Sequence, residues 1–194
     1  MIKLALFGAG RIGKIHGHNV ALNPQAELVA LHDPYQVNAD HLSAALGCQQ
    51  MTPEQIFSDP SITGILVCSA TDTHADLIEQ AVLTGKHVFC EKPIDLSLAR
   101  VQQVVAKVNA SPITSMLAFN RRFDSNFALL QQRIAAGDIG DVELVSIISK
   151  DPSPPPVDYI KVSGGLFRDM TIHDFDMARF LLAEEVVQVT AQAS

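Results

Sequence analysis

The sequence predicts an α/β fold whose first part is a doubly wound parallel sheet, and three observations carry that prediction. Short apolar, β-branched runs alternate with longer segments of helical period, the pattern of βαβ units. A glycine turn, Gly8-Ala9-Gly10-Arg11-Ile12-Gly13, directly follows the first run and opens a helical stretch. An acid, Asp33, closes the second run twenty positions after Gly13.

Taken in order, the expected strands are 2–7, 27–32, 64–69, 87–90 and 114–118. Helices are expected over 12–22, 38–46, 73–83 and 96–109, where apolar residues recur at three and four positions. Gly85 supplies a C-terminal stop for the third helix, and Asp95 or Ser97 can accept amide hydrogen bonds at the start of the fourth. After Ala118 the alternation ends. A helix is expected over 123–136, stopped by Gly137, then a strand over 142–149, a proline-rich connection over 151–156, and a last strand over 186–191. This reads as a nucleotide-binding domain over 1–119 and the start of an α+β domain with an open-faced, mostly antiparallel sheet over 120–194. A domain that stops on an unpaired strand leaves an edge exposed, so the chain is expected to be part of a longer protein.

Bulk properties exclude several classes. The chain has 194 residues, 47% of them hydrophobic and 18% charged, which suits a packed domain and not global disorder. A formal net charge of -7 argues against a broad nucleic-acid surface, so any anion is held locally. The opening run MIKLALFG is too short to span a bilayer or act as a signal sequence, and no later run reaches the roughly 20 apolar residues a spanning helix needs. The 3 cysteines, Cys48, Cys68 and Cys90, are widely spaced, and two lie in strand-like runs. That placement suits reduced thiols in a cytoplasmic core better than a disulfide frame or a zinc site.

The glycine turn has the context that makes G-x-G-x-x-G specific, a preceding strand and a following helix. Gly8 permits the tight turn, Gly10 lets backbone approach a pyrophosphate, and Gly13 allows close helix-strand packing, with Arg11 and Ile12 supplying amides at the helix start. This is the Rossmann-type dinucleotide arrangement. Asp33 is placed to accept hydrogen bonds from an adenosine ribose, and no cation follows it in HDPYQVN to meet a 2′-phosphate, so NAD is favoured over NADP. Ser69, Thr71 and His74 lie near another strand end and are further candidate cofactor contacts, although His74 could equally be a solvated helix start. His16 and His18 face different sides of the first helix and are less informative.

Glu91-Lys92-Pro93 places an ion-capable pair at the C-terminal end of a strand, the edge where open α/β sheets bind ligands, and both are candidate cofactor contacts. A surface ion pair is the competing reading. Pro93 restricts Lys92 to extended backbone and permits a cis bond. The segment RDMTIHDFDMARF, 168–180, has three readings: a catalytic face, a metal site, or an amphipathic helix end. Asp169 and His173 are four apart on one helix face, and Asp176 lies three further on. A carboxylate beside a histidine raises its basicity, as a general base needs, whereas a metal needs more converging ligands than one helix offers. No metal is therefore expected.

Together the glycine fingerprint, Glu-Lys-Pro after a strand and Asp-x-x-x-His on a later helix resemble the Gfo/Idh/MocA oxidoreductases. The runs FNRRFD, AAGDIGDVELV and DPSPPPVDYIKVSGGLFRDMTIHDFDMARFLL resemble the inositol-oxidising members of that family. The resemblance implies an NAD-dependent dehydrogenase of a cyclic polyol or sugar, with Lys92, Asp169 and His173 matching the family's catalytic trio. It implies that His173 takes the hydroxyl proton, Asp169 orients it, and Lys92 stabilises the reacting oxygen. Those three, with Asn120, Arg122, Asp151 and Tyr159, are the expected substrate contacts. A cytoplasmic homo-oligomer, tetrameric as is common in the family, is implied, with a small polyol and neither nucleic acid nor membrane as partner. Family members continue with most of an open-faced sheet. The competing expectations are a non-catalytic NAD-binding module or inactive fragment, and a sugar enzyme that keeps its cofactor tightly bound.

Overall fold

Six strands in the first part of the chain pair into one parallel sheet of order β3-β2-β1-β4-β5-β6. They are β1 Ile2–Phe7, β2 Ala26–His32, β3 Gln49–Gln50, β4 Gly64–Val67, β5 His87–Cys90 and β6 Ser115–Leu117. The computed structural model describes residues 1–192, and the chain forms two compact units, Met1–Ala118 and Phe119–Ser194.

In the first unit, helices α1 Arg11–Ala21, α2 Gln36–Leu46, α3 Pro53–Ser58, α4 His74–Thr84 and α5 Leu98–Asn109 connect the strands. Alternation along β1 sends Ala5 and Phe7 into one apolar cluster with Ile56, Ile78 and Val104, and Leu6 into a second with Val20 and Leu42. Each sheet face is thereby covered, as a parallel sheet requires. The register shifts between Leu4 and Ala5, where Leu4 pairs Leu28 but Ala5 pairs Ala30. Val29 is the extra residue of this bulge, so Leu28 and Leu31 both reach the second cluster despite their odd spacing.

Two elements escaped the sequence pattern. The pair β3 is polar and only 2 residues long, and it forms by pairing Ala30 with Gln49 and Leu31 with Gln50. The short α3 carries Pro53 at its start and a capping box between Thr52 and Gln55, a local signature too brief to show apolar periodicity. Between α4 and α5, Arg100 and Lys107 clasp Glu79, which pulls its carboxyl down to about 2.

The strand order places β1 between β2 and β4, so chain connections leave in opposite directions at that point. A crevice opens there at the strands' C-terminal ends. The register aligns Phe7 with both His32 and Val67, which brings the residues after them, Gly8, Asp33 and Cys68, to one edge.

The second unit holds α6 Ser125–Ala135, α7 Val157–Ile160, a π-helical turn Phe167–Thr171 and α8 Ile172–Leu182. Asp124 caps α6 by accepting from the amides of Asn126 and Phe127. The strands expected over 142–149 and 186–191, and with them the antiparallel sheet, do not form among the described residues. A strand exists only by pairing, and these β-rich runs find no partner segment there; Leu144 is 85% exposed. Among the described residues no helix is long and apolar enough to cross a membrane.

Candidate active site

The dinucleotide fingerprint folds as its spacing demands. Gly8 has φ +96°, and a Cβ there would sit 2.5 Å from the Cys68 carbonyl oxygen. At Gly13 a Cβ would lie 1.9 Å from the Gly8 oxygen, so only glycine lets α1 approach the turn this closely. Gly10 differs, for nothing lies within 4 Å of a Cβ built on it. It caps α1 without any side-chain hydrogen bond, and no acid occupies the helix's first turn. The first-turn amides, including those of Arg11 and Ile12, therefore keep their capacity for an anion placed over Gly10.

This turn forms one wall of a cavity of about 560 Å³, with Gly8, Gly10, Asp33 and Ser69 together on its lining. Asp33 is held rigidly: Ala9 N–H donates to its Oδ2 at 2.6 Å and Tyr35 N–H to its Oδ1 at 2.8 Å. Each oxygen retains a lone pair for a ribose hydroxyl. Pro34, Tyr35 and Leu77 add apolar walls that suit a flat base, and Asn38 adds a polar one. These were legible only as the unremarkable residues around Asp33 and on α4. The donor set fits a dinucleotide.

Several of the other expected cofactor contacts have partners within the protein. Thr73 takes the place on the cavity wall expected for Thr71, and its hydroxyl meets that of Ser69 at 2.6 Å. In the 3-10 turn over Thr71–Thr73 the hydroxyl of the later threonine also donates to the Ala70 carbonyl oxygen at 2.7 Å. His74, expected as a contact or a solvated helix start, is 1% exposed, with Nδ1 2.8 Å from the Pro93 carbonyl oxygen and Nε2 3.1 Å from that of Ser69. Glu91 places Oε1 2.8 Å from His16 Nε2, while His16 packs edge-on against Phe89. His16 is thus a partner of the Glu-Lys-Pro segment that helix-face reasoning left without a role. Lys92 follows β5 and is half-buried, and its bond to Pro93 is cis.

The three thiols are free, and burial raises each, Cys68 to about 12. Such thiols stay protonated and poorly reactive.

In the second unit the segment RDMTIHDFDMARF is not one continuous α-helix. Asp169 lies in the π-helical turn and His173 in the first turn of α8. Such a widened turn is uncommon and concentrates at functional sites. Gly164 and Gly165, both at positive φ, lead the chain into it, and Gly165 O accepts from the amides of Arg168 and Asp169. The Tyr159 hydroxyl donates to Asp169 Oδ1 at 2.7 Å, so the tyrosine expected to touch substrate also contacts the acid of the trio. His173 meets Phe119 edge-to-face at 6.3 Å, and its Nδ1 is buried.

The remaining acids of the segment are engaged with arginines. Asp174 accepts from Arg121 and from the Ser149 hydroxyl. Asp176, only 6% exposed, is gripped by Arg122 through Nε at 2.8 Å and Nη2 at 2.6 Å, with the guanidinium over the Phe180 ring. A carboxylate neutralised in this way is a poor metal ligand. Arg122, expected as a substrate contact, is thereby committed to a structural pair. Asn120 and Asp151 are exposed and stay open to a ligand.

Arg122→Met should leave the Asp176 carboxylate buried without its cation. Because the Arg122 side chain is itself 38% exposed, the loss is placed at roughly 2 to 3 kcal/mol, below the range for fully buried pairs. Urea unfolding measures it, and unchanged stability would show that the pair contributes nothing.

Comparison with known proteins agrees with both units. Residues 2–119 match a family model described as the GFO_IDH_MocA oxidoreductase family, NAD-binding Rossmann fold. Residues 127–194 match the GFO/IDH/MocA C-terminal domain. The chain is 51% identical over 193 residues to an inositol 2-dehydrogenase of Rhizobium meliloti, covering 100% of this chain and 58% of that protein. A myo-inositol dehydrogenase structure from Corynebacterium glutamicum superposes with TM-score 0.88 at 48% identity, over 93% of this chain and 55% of that one. A scyllo-inositol dehydrogenase structure from Lactobacillus casei with bound NAD(H) and scyllo-inositol gives TM-score 0.84 at 33% identity, over 95% and 57%. The chain thus spans somewhat more than half the length of these relatives.

Proposed function

Since the chain belongs to the Gfo/Idh/MocA oxidoreductases, we propose that it oxidises myo-inositol, or a closely related cyclic polyol, to the ketone with NAD as its cofactor. One observation carries the reading. The glycine turn, open above Gly10 and flanked by Asp33, faces a cavity fit for a dinucleotide on a chain 51% identical to a protein named inositol 2-dehydrogenase.

The turn's amides bind the pyrophosphate, Asp33 accepts from the adenosine ribose, and Pro34, Tyr35 and Leu77 sandwich the base. When bound, NAD supplies a hydride acceptor. His173 acts as general base and takes the proton of the reacting hydroxyl. Asp169 orients and polarises His173, and the Tyr159 hydrogen bond restrains that carboxylate. Lys92 donates to the same oxygen and stabilises its developing negative charge, a role suited to a compact cation. Asn120 and Asp151 offer directional partners to the other hydroxyls. The proposal includes a homo-oligomer and, from the wide spacing of the three cysteines in the sequence, a cytoplasmic setting.

The test is NADH formation by the purified protein with myo-inositol, scyllo-inositol and a panel of aldoses, together with calorimetry of NAD binding. Turnover on a cyclic polyol is expected. NAD binding without turnover on any of them would reject the dehydrogenase reading in favour of a binding module.

A further inference from the structure

His74 has no role in the mechanism above, yet it places two polar ring atoms in the interior of the first unit. Its neighbours there are two backbone carbonyls, Pro93 at 2.8 Å from Nδ1 and Ser69 at 3.1 Å from Nε2. A carbonyl oxygen only accepts, so each contact calls for an N–H, and a neutral imidazole has one. The shorter contact takes it.

The two carbonyls belong to functionally distinct segments. Ser69 walls the dinucleotide cavity. Pro93 follows Lys92, and both lie beyond the end of the β4-β5 ladder, whose last bond runs from Glu91 N–H to the Val67 oxygen at 2.9 Å. Past that bond the lysine backbone has left the sheet, and a buried ring spans the gap from the cavity wall.

We propose that His74 is a positioning residue: its Nδ1–H holds the Pro93 carbonyl and so sets the backbone that carries Lys92, while its Nε2 rests against the cavity wall at Ser69. The inference relies on the proposed role of Lys92 at the reacting oxygen. A brace of this kind acts on turnover more than on cofactor affinity, because a displacement of about 1 Å in a reacting group costs on the order of 10²-fold in rate.

Two amide substitutions separate the ring's two ends. Asparagine places its amide nitrogen near the position of Nδ1, and glutamine near that of Nε2. His74→Asn is therefore expected to keep kcat within about threefold, whereas His74→Gln lowers kcat by about tenfold or more while the KM for NAD changes by less than about twofold. A second readout needs neither cofactor nor activity. In spectra of the ¹³C-dimethyl-lysine protein, with the signal assigned by Lys92→Arg, the Lys92 resonance should move in His74→Gln and stay in place in His74→Asn. In the unsubstituted protein, long-range ¹H–¹⁵N correlations should report the proton of His74 on Nδ1.

A proton on Nε2 with none on Nδ1, or a Lys92 resonance that responds equally to both variants or to neither, overturns the proposal and leaves His74 a packing residue. If the resonances behave as stated and no polyol is oxidised even by the unsubstituted protein, the brace stands and the dehydrogenase reading fails.

Discussion

Gly10→Ala is expected to leave the protein folded and to deprive it of NAD, while Gly13→Ala should disrupt the fold itself. The two glycines stand three residues apart in one turn, and their surroundings are opposite. A Cβ at Gly10 meets nothing within 4 Å, and the residue's φ of -71° suits any amino acid. The stability loss there is confined to a weaker helix cap, about 1 kcal/mol or less. The added methyl group, however, projects into the space assigned to the pyrophosphate, and a tenfold or greater loss of NAD affinity, about 1.4 kcal/mol, is expected. At Gly13 the same methyl group falls 1.9 Å from the backbone oxygen of Gly8, which no rotamer change can relieve. Helix and strand must separate, at a cost of roughly 3 kcal/mol. Thermal melting and NAD calorimetry on the two variants decide the matter: native affinity in a folded Gly10→Ala protein would remove the pyrophosphate from this turn.

His173→Ala and Lys92→Ala should each lower kcat by about 10²-fold or more, since each deletes a group assigned to the transferring proton or the developing charge. NAD affinity should survive in His173→Ala, because the groups proposed to bind the base and the ribose lie on other residues. Lys92→Arg retains the charge yet spreads it over a planar fork, so it should recover only part of the lost rate. Rates unchanged in either alanine variant would reject that residue's role.

The glycine turn and the placing of Asp33 beside it were legible because they are local. Gly8, Gly10 and Gly13 lie within one turn, and Asp33 ends the next strand; alternation and a spacing of twenty residues place them before any tertiary contact is known. Legibility failed where a side chain had to choose its direction. His74 shows in sequence as a histidine at a helix start, and nothing local says that its ring turns inward onto two carbonyls. Arg122 similarly reads as a polar residue beside a candidate pocket until Asp176, far along the chain, appears as its bidentate partner. Thr73, and not Thr71, lines the cavity, at the end of a 3-10 turn that the sequence pattern did not mark. The runs over 142–149 and 186–191 have strand composition but form no ladder among the described residues.

The sequence by itself determined the parallel α/β class, the glycine turn, and the candidacy of Asp33, Lys92, Asp169 and His173, because backbone periodicity and glycine's steric allowance act over a few residues. Tertiary structure alone decided which polar groups remain for chemistry. It assigned Asp174 and Asp176 to Arg121 and Arg122, Tyr159 to Asp169, and His74 to the Ser69 and Pro93 carbonyls. Those choices depend on which donor reaches which acceptor once water is excluded, and that is a property of packing between distant segments.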